Sequence, residues 1–159
     1  MSAAPTWIEE GEAAPDFTLK ADDGTEIHLN ALRGKPVVLY FYPKDDTPGC
    51  TREACAFRDR RADLAAAGAV VLGVSPDTVA SHGHFRDKYQ LNFPLLADPD
   101  HQVAERYGAW REKNLYGKKS LGIQRSTFLI DAAGQVRKVW KKVAVDGHDE
   151  EVLKALAAL

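Results

Sequence analysis

Apolar residues in this chain occur either in short unbroken runs or at helical spacing, and the two patterns follow each other in turn. Residues 36–42 and 69–74 are apolar at almost every position, which predicts two strands buried on both faces. Residues 93–97 predict a third, shorter strand. Helical spacing and helix-end signals predict helices over about residues 48–67, 78–89, 101–107 and 147–158.

Two hairpins flank this alternation, over residues 17–29 and 126–140, and residues 22–24 supply the turn of the first one. Residues 108–124 follow neither pattern and predict a long loop. Alternating strands and helices imply an α/β sheet with parallel strands, and the closing hairpin and last helix are typical of a thioredoxin-like fold. We therefore expect a single thioredoxin-like domain over residues 1–159, with an N-terminal β-hairpin extension.

Composition excludes several classes of function. The 159 residues are 45% hydrophobic and 28% charged, and the net charge is −2. Charges of both signs are mixed along the chain, so we expect neither nucleic acid nor a membrane as a partner. Residues 1–14 predict an arm without a basic or apolar leader segment, and we expect a cytoplasmic protein. Since that compartment keeps thiols reduced, the two cysteines predict reactive or inert thiols rather than a structural disulfide.

Both cysteines lie where the first buried strand gives way to a helix. Thr47 and Pro48 predict a helix start, with the threonine as N-cap and the proline at the first helical position. Unpaired N–H groups and the helix dipole stabilise an anion there, which favours a nucleophilic thiolate at Cys50. Thr47 offers a hydroxyl on the same side. Pro43 ends the strand and has no N–H that would compete for the thiolate.

The spacing between Cys50 and Cys55 limits what the two thiols can do. Five residues of α-helix correspond to a rise of about 7.5 Å and a rotation of about 140°, so their Cα atoms would lie about 8.6 Å apart. A disulfide requires a Cα separation below about 7 Å. Either these thiols never form a bridge, or the first turn of the helix unwinds before they do.

The same segment resembles the active site of peroxiredoxins. The spacing Pro43-x-x-x-Thr47-x-x-Cys50 is similar to the family's motif, and Arg125 in GIQRSTFLID matches the family's active-site arginine. The segment GEAAPDFTL, which begins at Gly11, also resembles the start of that family. Cys55 in GCTREAC is similar to the second cysteine of the peroxiredoxin Q group, also called bacterioferritin comigratory proteins. The resemblance runs from about residue 10 to the C-terminus.

This resemblance implies a fold of the peroxiredoxin type and an antioxidant thiol-dependent peroxidase that reduces hydrogen peroxide and organic hydroperoxides without a metal or other cofactor. The Cys50 thiolate would attack the peroxide, and the Thr47 hydroxyl, the Cys50 N–H and Arg125 would stabilise the leaving oxygen. Glu53 matches the acidic residue that orients the arginine. Cys55 would convert the Cys50 sulfenic acid into a disulfide, which thioredoxin or a similar dithiol would reduce. An intramolecular pair predicts a monomer.

Other interpretations fit the same residues. A thiol–disulfide oxidoreductase is one, although such enzymes normally carry Cys-x-x-Cys, and a non-catalytic redox sensor is another. Structural alternatives exist for each candidate: Cys50 and Cys55 as buried apolar residues, Arg125 as a strand-edge charge, Thr47 as an N-cap, Pro43 as a strand end and Glu53 as a first-turn acid. Tyr42 and Trp110 are hypothesised to line the peroxide pocket. His82 and His84, the one close pair of histidines, predict no metal site.

Overall fold

The computed structural model describes residues 6–159, apart from the side chain of residue 115. The strands are β1 (Thr18–Ala21), β2 (Glu26–His28), β3 (Val37–Phe41), β4 (Val70–Ser75), β5 (Leu95–Ala97), β6 (Trp110–Leu115), β7 (Lys118–Ile123), β8 (Ser126–Ile130) and β9 (Val136–Trp140). The helices are α1 (Pro48–Asp59), α2 (Arg61–Ala66), α3 (Val79–Tyr89), α4 (Gln102–Tyr107) and α5 (His148–Ala157). Within the described part of the chain, no helix has the length and apolar character needed to cross a membrane.

Seven strands form one mixed sheet in the order β2-β1-β5-β4-β3-β8-β9. The central strands β3, β4 and β5 are parallel, and β8 and β9 close one side of the sheet as an antiparallel hairpin. The predicted N-terminal hairpin extends the other side, because β1 pairs antiparallel with β5. The expected α/β, thioredoxin-like architecture is confirmed.

The sequence of β3 shows no alternation with polar residues because its side chains pack into two cores, one on each face of the sheet. Val37, Leu39 and Phe41 point to the face that packs against α4 and the N-terminal arm. Val38 and Tyr40 point to the opposite face, which α1, α2, α3 and α5 cover. All five residues of β3 are buried, as expected for the central strand of a sheet with both faces covered.

The predicted arm, residues 1–14, lies outside the described residues at its first five positions. The remaining part is bound to the body of the protein. Ile8 donates its N–H to the Tyr107 carbonyl, and Ala13 forms a bridge with Gln135 beside β9. The Trp7 ring lies 6.2 Å from the Phe128 ring, so this segment covers part of the first core.

The prediction of a loop over residues 108–124 was wrong. This segment forms the β6–β7 hairpin, a two-stranded sheet separate from the main one. Its turn is Tyr116-Gly117, where both residues have positive φ angles (53° and 78°). Two consecutive left-handed residues are what a tight hairpin turn with the right twist requires. These strands show neither an unbroken apolar run nor an alternation of apolar and polar residues, because both faces of the ribbon remain largely exposed.

The predicted helix over residues 48–67 is divided in two. Arg60, at φ −95° and ψ 8°, separates α1 from α2. Its guanidinium binds Asp149 and Glu150 at the start of α5, each at 3.0 Å. Gly68 adopts a positive φ of 76° just after α2, so the predicted end of this helical region is confirmed.

Candidate active site

Cys50 lies in the first turn of α1, at the carboxyl end of β3. Thr47 has an extended backbone (φ −96°, ψ 157°) and Pro48 is the first helical residue, as the sequence predicts. The Cys50 side chain is 1% exposed and packs in the second core beneath the helix. The thiol therefore lies at a helix N-terminus and is almost completely shielded from water.

The Thr47 side chain does not cap the helix, which corrects one part of the prediction. Its hydroxyl donates a hydrogen bond to the Lys44 carbonyl at 2.8 Å, back into the loop that precedes α1. Only its backbone carbonyl joins the helix, where it accepts from the Thr51 N–H. Pro43 is partly buried and lies two residues after the end of β3. The loop thus holds the Thr47 hydroxyl in a defined orientation close to Cys50 in the chain.

Arg125 lies between β7 and β8, beside the strand β3 that leads into α1, and its side chain reaches the first turn of that helix. Its Nη2 donates to Cys50 Sγ at 3.2 Å, and its Nη1 binds Glu53 Oε1 at 2.7 Å. Gly49 leaves room for the guanidinium, because a Cβ at this position would lie 3.1 Å from Nη2. Burial alone would lower the pKa of Arg125, but the negative charges of Glu53 and Cys50 outweigh it and raise that pKa.

Glu53 is buried below this arginine. Burial raises the pKa of Glu53 to about 7, against the opposing effect of the Arg125 charge and its hydrogen bond. Its second oxygen, Oε2, has no hydrogen-bond partner among the described residues. One carboxylate oxygen therefore binds Arg125, and the other is buried without a hydrogen bond, which is unfavourable for the charged form.

Two nearby residues were missed by sequence reasoning. Lys113, on β6, is half-buried, and burial followed by the Arg125 charge lowers its pKa, while the charge of Cys50 acts in the opposite direction. Tyr40 lies on β3 in the same core as Cys50, and burial followed by the charge of Glu53 raises its pKa. Neither carried a usable signal, since Lys113 fell in a segment taken for a loop and Tyr40 looked like an ordinary core residue.

Cys55 lies five residues after Cys50 in the same unbroken helix. Both thiols are free, and Cys55 is partly buried. The basic neighbour of Cys55 is Arg58. The hydrogen bond that Arg58 donates to Asp59 is the main cause of the raised pKa of Arg58, and the interaction with Cys55 raises it further. The intact helix therefore keeps the two Cα atoms about 8.6 Å apart, too far for a disulfide.

Tyr42 and Trp110, the two hypothesised pocket residues, are both committed to other contacts. The Tyr42 hydroxyl donates to Asp45 Oδ1 at 2.6 Å, and its ring belongs to the same core as Cys50. Trp110 stacks on His101 with ring centroids 3.8 Å apart. A role in lining the peroxide pocket stays a prediction for both.

A second polar cluster involves the loop that precedes α1, and no local pattern in the sequence indicates it. Asp45, Asp77 and His82 place one potential metal-ligating atom each within 4.8 Å of the others. Their atoms bind one another and neighbouring hydroxyls: Asp45 Oδ2 lies 2.7 Å from His82 Nδ1, and Asp77 Oδ2 accepts from the Asp45 N–H and from Ser75. His84 is exposed and takes no part in this cluster.

Comparison with known proteins identifies the family. The AhpC/TSA family matches residues 11–139. A protein of Coxiella burnetii named as a Bcp peroxiredoxin is 56% identical over 94% of this chain and 99% of its own length. Peroxiredoxin Bcp of Bacillus subtilis is 50% identical over 94% of this chain and 95% of its own.

A solved structure agrees with these sequence relatives. The bacterioferritin comigratory protein of Xanthomonas campestris, whose structures concern its alkyl peroxide reduction activity, is 46% identical. It superposes with a TM-score of 0.86 over 89% of this chain and 90% of its own. The chain described here therefore belongs to the AhpC/TSA family, as a thiol-dependent peroxidase of the peroxiredoxin Q, or Bcp, type.

Proposed function

We propose that Cys50 is the residue that reacts with peroxide. The observation that carries this proposal is the guanidinium of Arg125, which contacts the Cys50 sulfur with one nitrogen and Glu53 with another. A guanidinium held in this way fixes a positive charge against the sulfur, and the thiolate is the form of a cysteine that acts as a nucleophile. Cys55 has no comparable contact with Arg125 and lies about 1.4 turns further along α1.

The reaction follows from this arrangement. The Cys50 thiolate attacks the terminal oxygen of the hydroperoxide, the O–O bond breaks, and the leaving alkoxide or hydroxide takes up a proton. Cys50 is oxidised to a sulfenic acid, and the peroxide is reduced to an alcohol or water. Arg125 and the Cys50 N–H are the donors that stabilise charge on the leaving oxygen, and the Thr47 hydroxyl joins them when its proton turns from the Lys44 carbonyl to the peroxide. Glu53 orients Arg125, and Pro43 shields the thiolate.

Cys55 completes the cycle in this proposal. Its thiolate attacks the sulfur of the Cys50 sulfenic acid, a disulfide forms, and the hydroxyl group leaves as water after protonation. The first turn of α1 must unwind for this step, because an intact helix keeps the two Cα atoms about 8.6 Å apart. A dithiol reductant, for which we propose thioredoxin, then restores both thiols by two exchange steps.

The remaining features of the proposal concern the state of the protein. We expect a single domain and a monomer, since the resolving thiol lies in the same helix as Cys50 and no second subunit is required. We further expect it to act in the cytoplasm, in antioxidant defence and redox homeostasis.

Peptide mapping under non-reducing conditions tests the pairing of the two thiols. Reduced protein is treated with one equivalent of hydrogen peroxide, alkylated and digested. The expected product is a peptide pair linked through Cys50 and Cys55 within one chain. Dimers linked between chains, without this internal bridge, would show that Cys55 is not the resolving thiol. A parallel assay with thioredoxin, its reductase and NADPH measures turnover, and the absence of NADPH consumption would show that another dithiol is the reductant.

A further inference from the structure

The loop between β3 and α1 is anchored by one buried acid. Asp45 is 8% exposed, whereas its neighbours Lys44 and Asp46 lie at the surface. The Asp45 N–H donates to Asp77 Oδ2 at 2.8 Å. Its carboxylate accepts from the Tyr42 hydroxyl at 2.6 Å and from Ser81 Oγ at 2.8 Å. Asp45 is therefore fixed through both its backbone and its side chain.

His82 is the principal partner of this acid and is completely buried. Its Nε2 lies 2.9 Å from the Leu96 carbonyl oxygen, which can only accept, so Nε2 must carry a proton. Its Nδ1 lies 2.7 Å from Asp45 Oδ2. Two groups at this distance require one further proton between them, since two acceptors would repel each other. His82 and Asp45 are therefore joined by a hydrogen bond in the buried interior, with the Nε2 proton directed to the Leu96 carbonyl.

This pair connects the loop to three separate parts of the sheet and helices. His82 belongs to α3, Leu96 belongs to β5, and Asp77 follows the carboxyl end of β4. All three contacts come from residues that lie far from Asp45 in the sequence. The position of the loop is consequently set by the tertiary structure around it, rather than by local turn preferences alone.

The same loop controls the groups proposed to meet peroxide. Lys44, whose carbonyl accepts the Thr47 hydroxyl, is the residue directly before Asp45. Asp46, directly after it, holds a left-handed conformation (φ 58°), which among residues other than glycine Asp and Asn adopt most readily. Only Asp46 and Thr47 separate the anchor from the first residue of α1. A displacement of Asp45 would therefore shift the Thr47 hydroxyl and the first turn that presents Cys50.

We infer that the buried Asp45–His82 pair is a positioning device for the peroxide-reactive form of the active site. It holds the loop of residues 43–47 so that the first turn of α1 remains folded and its donors remain aligned. The inference rests on the proposed function of Cys50. It assigns to Asp45 and His82 a role in the first chemical step, the attack on peroxide, and no role in the later attack by Cys55, for which the turn must unwind.

Kinetic separation of these two steps tests the inference. In Asp45→Ala and His82→Leu proteins, we expect the second-order rate with hydrogen peroxide to fall about 10- to 100-fold, since a displacement of about 1 Å can cost this much. The rate of Cys50–Cys55 disulfide formation should stay the same or increase. Both steps are followed by stopped-flow tryptophan fluorescence, with a chelator present so that bound metal ions do not contribute.

Two further variants provide rescue and control. Asp45→Asn keeps an acceptor for Tyr42, and its amide NH2 offers one N–H to His82 Nδ1 and one to Ser81 Oγ, both of which can accept, so we expect a peroxide rate within about threefold of the original. Asp46→Asn removes the neighbouring charge, which binds Lys88 and Tyr89 at the surface, and asparagine tolerates the left-handed backbone. This variant should retain the peroxide rate within about twofold, since exposed pairs contribute little.

Several outcomes would overturn the inference. Unchanged peroxide rates in Asp45→Ala and His82→Leu, with only a lower melting temperature, would make the pair purely structural. An equal fall in both steps would indicate general destabilisation, and an Asp46→Asn defect as large as that of Asp45→Ala would indicate a charge effect. Failure of the proposed function looks different, because a Cys50→Ser protein would then still consume peroxide while the pair is intact.

Discussion

The two cysteines of α1 share one helix but not one environment. Cys50 is buried at the helix N-terminus, and its sulfur accepts a hydrogen bond from Arg125. Cys55 is partly exposed in the middle of the helix, next to Arg58, whose guanidinium binds Asp59 and the Tyr89 carbonyl instead. A position five residues further along the helix thus exchanges a buried thiol that contacts a guanidinium for a partly exposed thiol without that contact. Substitutions at and around the two thiols test how far this difference determines the chemistry of each cysteine.

Replacement of Cys50 should have the largest effect. We expect Cys50→Ser to abolish peroxide reduction, because a serine hydroxyl does not ionise near neutral pH and cannot form the sulfenic acid. The measurement is hydrogen peroxide consumption with thioredoxin and NADPH. Turnover that persists in this variant would remove Cys50 from the proposed mechanism.

Replacement of Cys55 should separate the first step from the cycle. We expect Cys55→Ser to consume one equivalent of peroxide per chain at the original rate and then to stop. A sulfenic acid trap such as dimedone should label Cys50 in this variant and not in the original protein after full turnover. Continued thioredoxin-linked cycling would show that the Cys50 sulfenic acid is reduced by another route.

The two arginines offer a matched test of the two environments. We expect Arg125→Ala to lower the second-order rate with peroxide by about 10²- to 10³-fold, because it removes a donor aimed at the reacting atoms. Arg58→Ala removes the same charge beside Cys55 and should leave this rate within about threefold. Equal effects of the two substitutions would mean that net charge, rather than the contact with Cys50, governs the rate.

The burial of Glu53 predicts a pH dependence of stability. Its pKa is about 7 in the folded protein and 4.5 when exposed, so between these values the folded state holds a proton that the unfolded chain has released. The free energy of unfolding should therefore fall as the pH rises from about 4.5 to about 7, by on the order of 3 kcal/mol, and then level off.

Urea denaturation across this pH range measures the effect. A background with both Cys50→Ser and Cys55→Ser excludes any contribution from thiol ionisation, and Glu53→Gln in that background should flatten the curve. An unchanged slope in the glutamine variant would assign the pH dependence to other groups. The polar interaction with Arg125 is retained in part by glutamine, so the variant is expected to fold.

The main sheet could be predicted from sequence because burial on both faces leaves an unbroken apolar run, as in β3 and β4. The β6–β7 hairpin could not, since its strands pair only with each other and most of their side chains, such as Lys119 and Leu121, are exposed. The turn also places a tyrosine in a left-handed conformation that residues of this size rarely adopt. Neither feature produces a periodic pattern.

The site shows the same division between local and distant determinants. Three of the site residues lie within two turns of one helix start, so the sequence predicts that Thr47, Cys50 and Glu53 are close together. Arg125 is distant in the sequence, and only its match to a family motif predicts that it belongs to the site. The Asp45–His82 pair joins residues on different elements, and nothing in the sequence distinguishes the buried His82 from the exposed His84 two residues later. Its existence depends on how α3 packs over the loop, which no local pattern contains.

The exposed turn of the β6–β7 hairpin has a consequence for how the protein can be divided. Tyr116 is fully exposed at its tip, which makes the following peptide bond accessible to a protease that cleaves after aromatic residues. A nick there would leave Cys50 and Cys55 on one fragment and Arg125 on the other. The pairing of β3 with β8, over five residues on each strand, would still hold the fragments together. This turn is therefore the natural place to split the enzyme into two complementing halves.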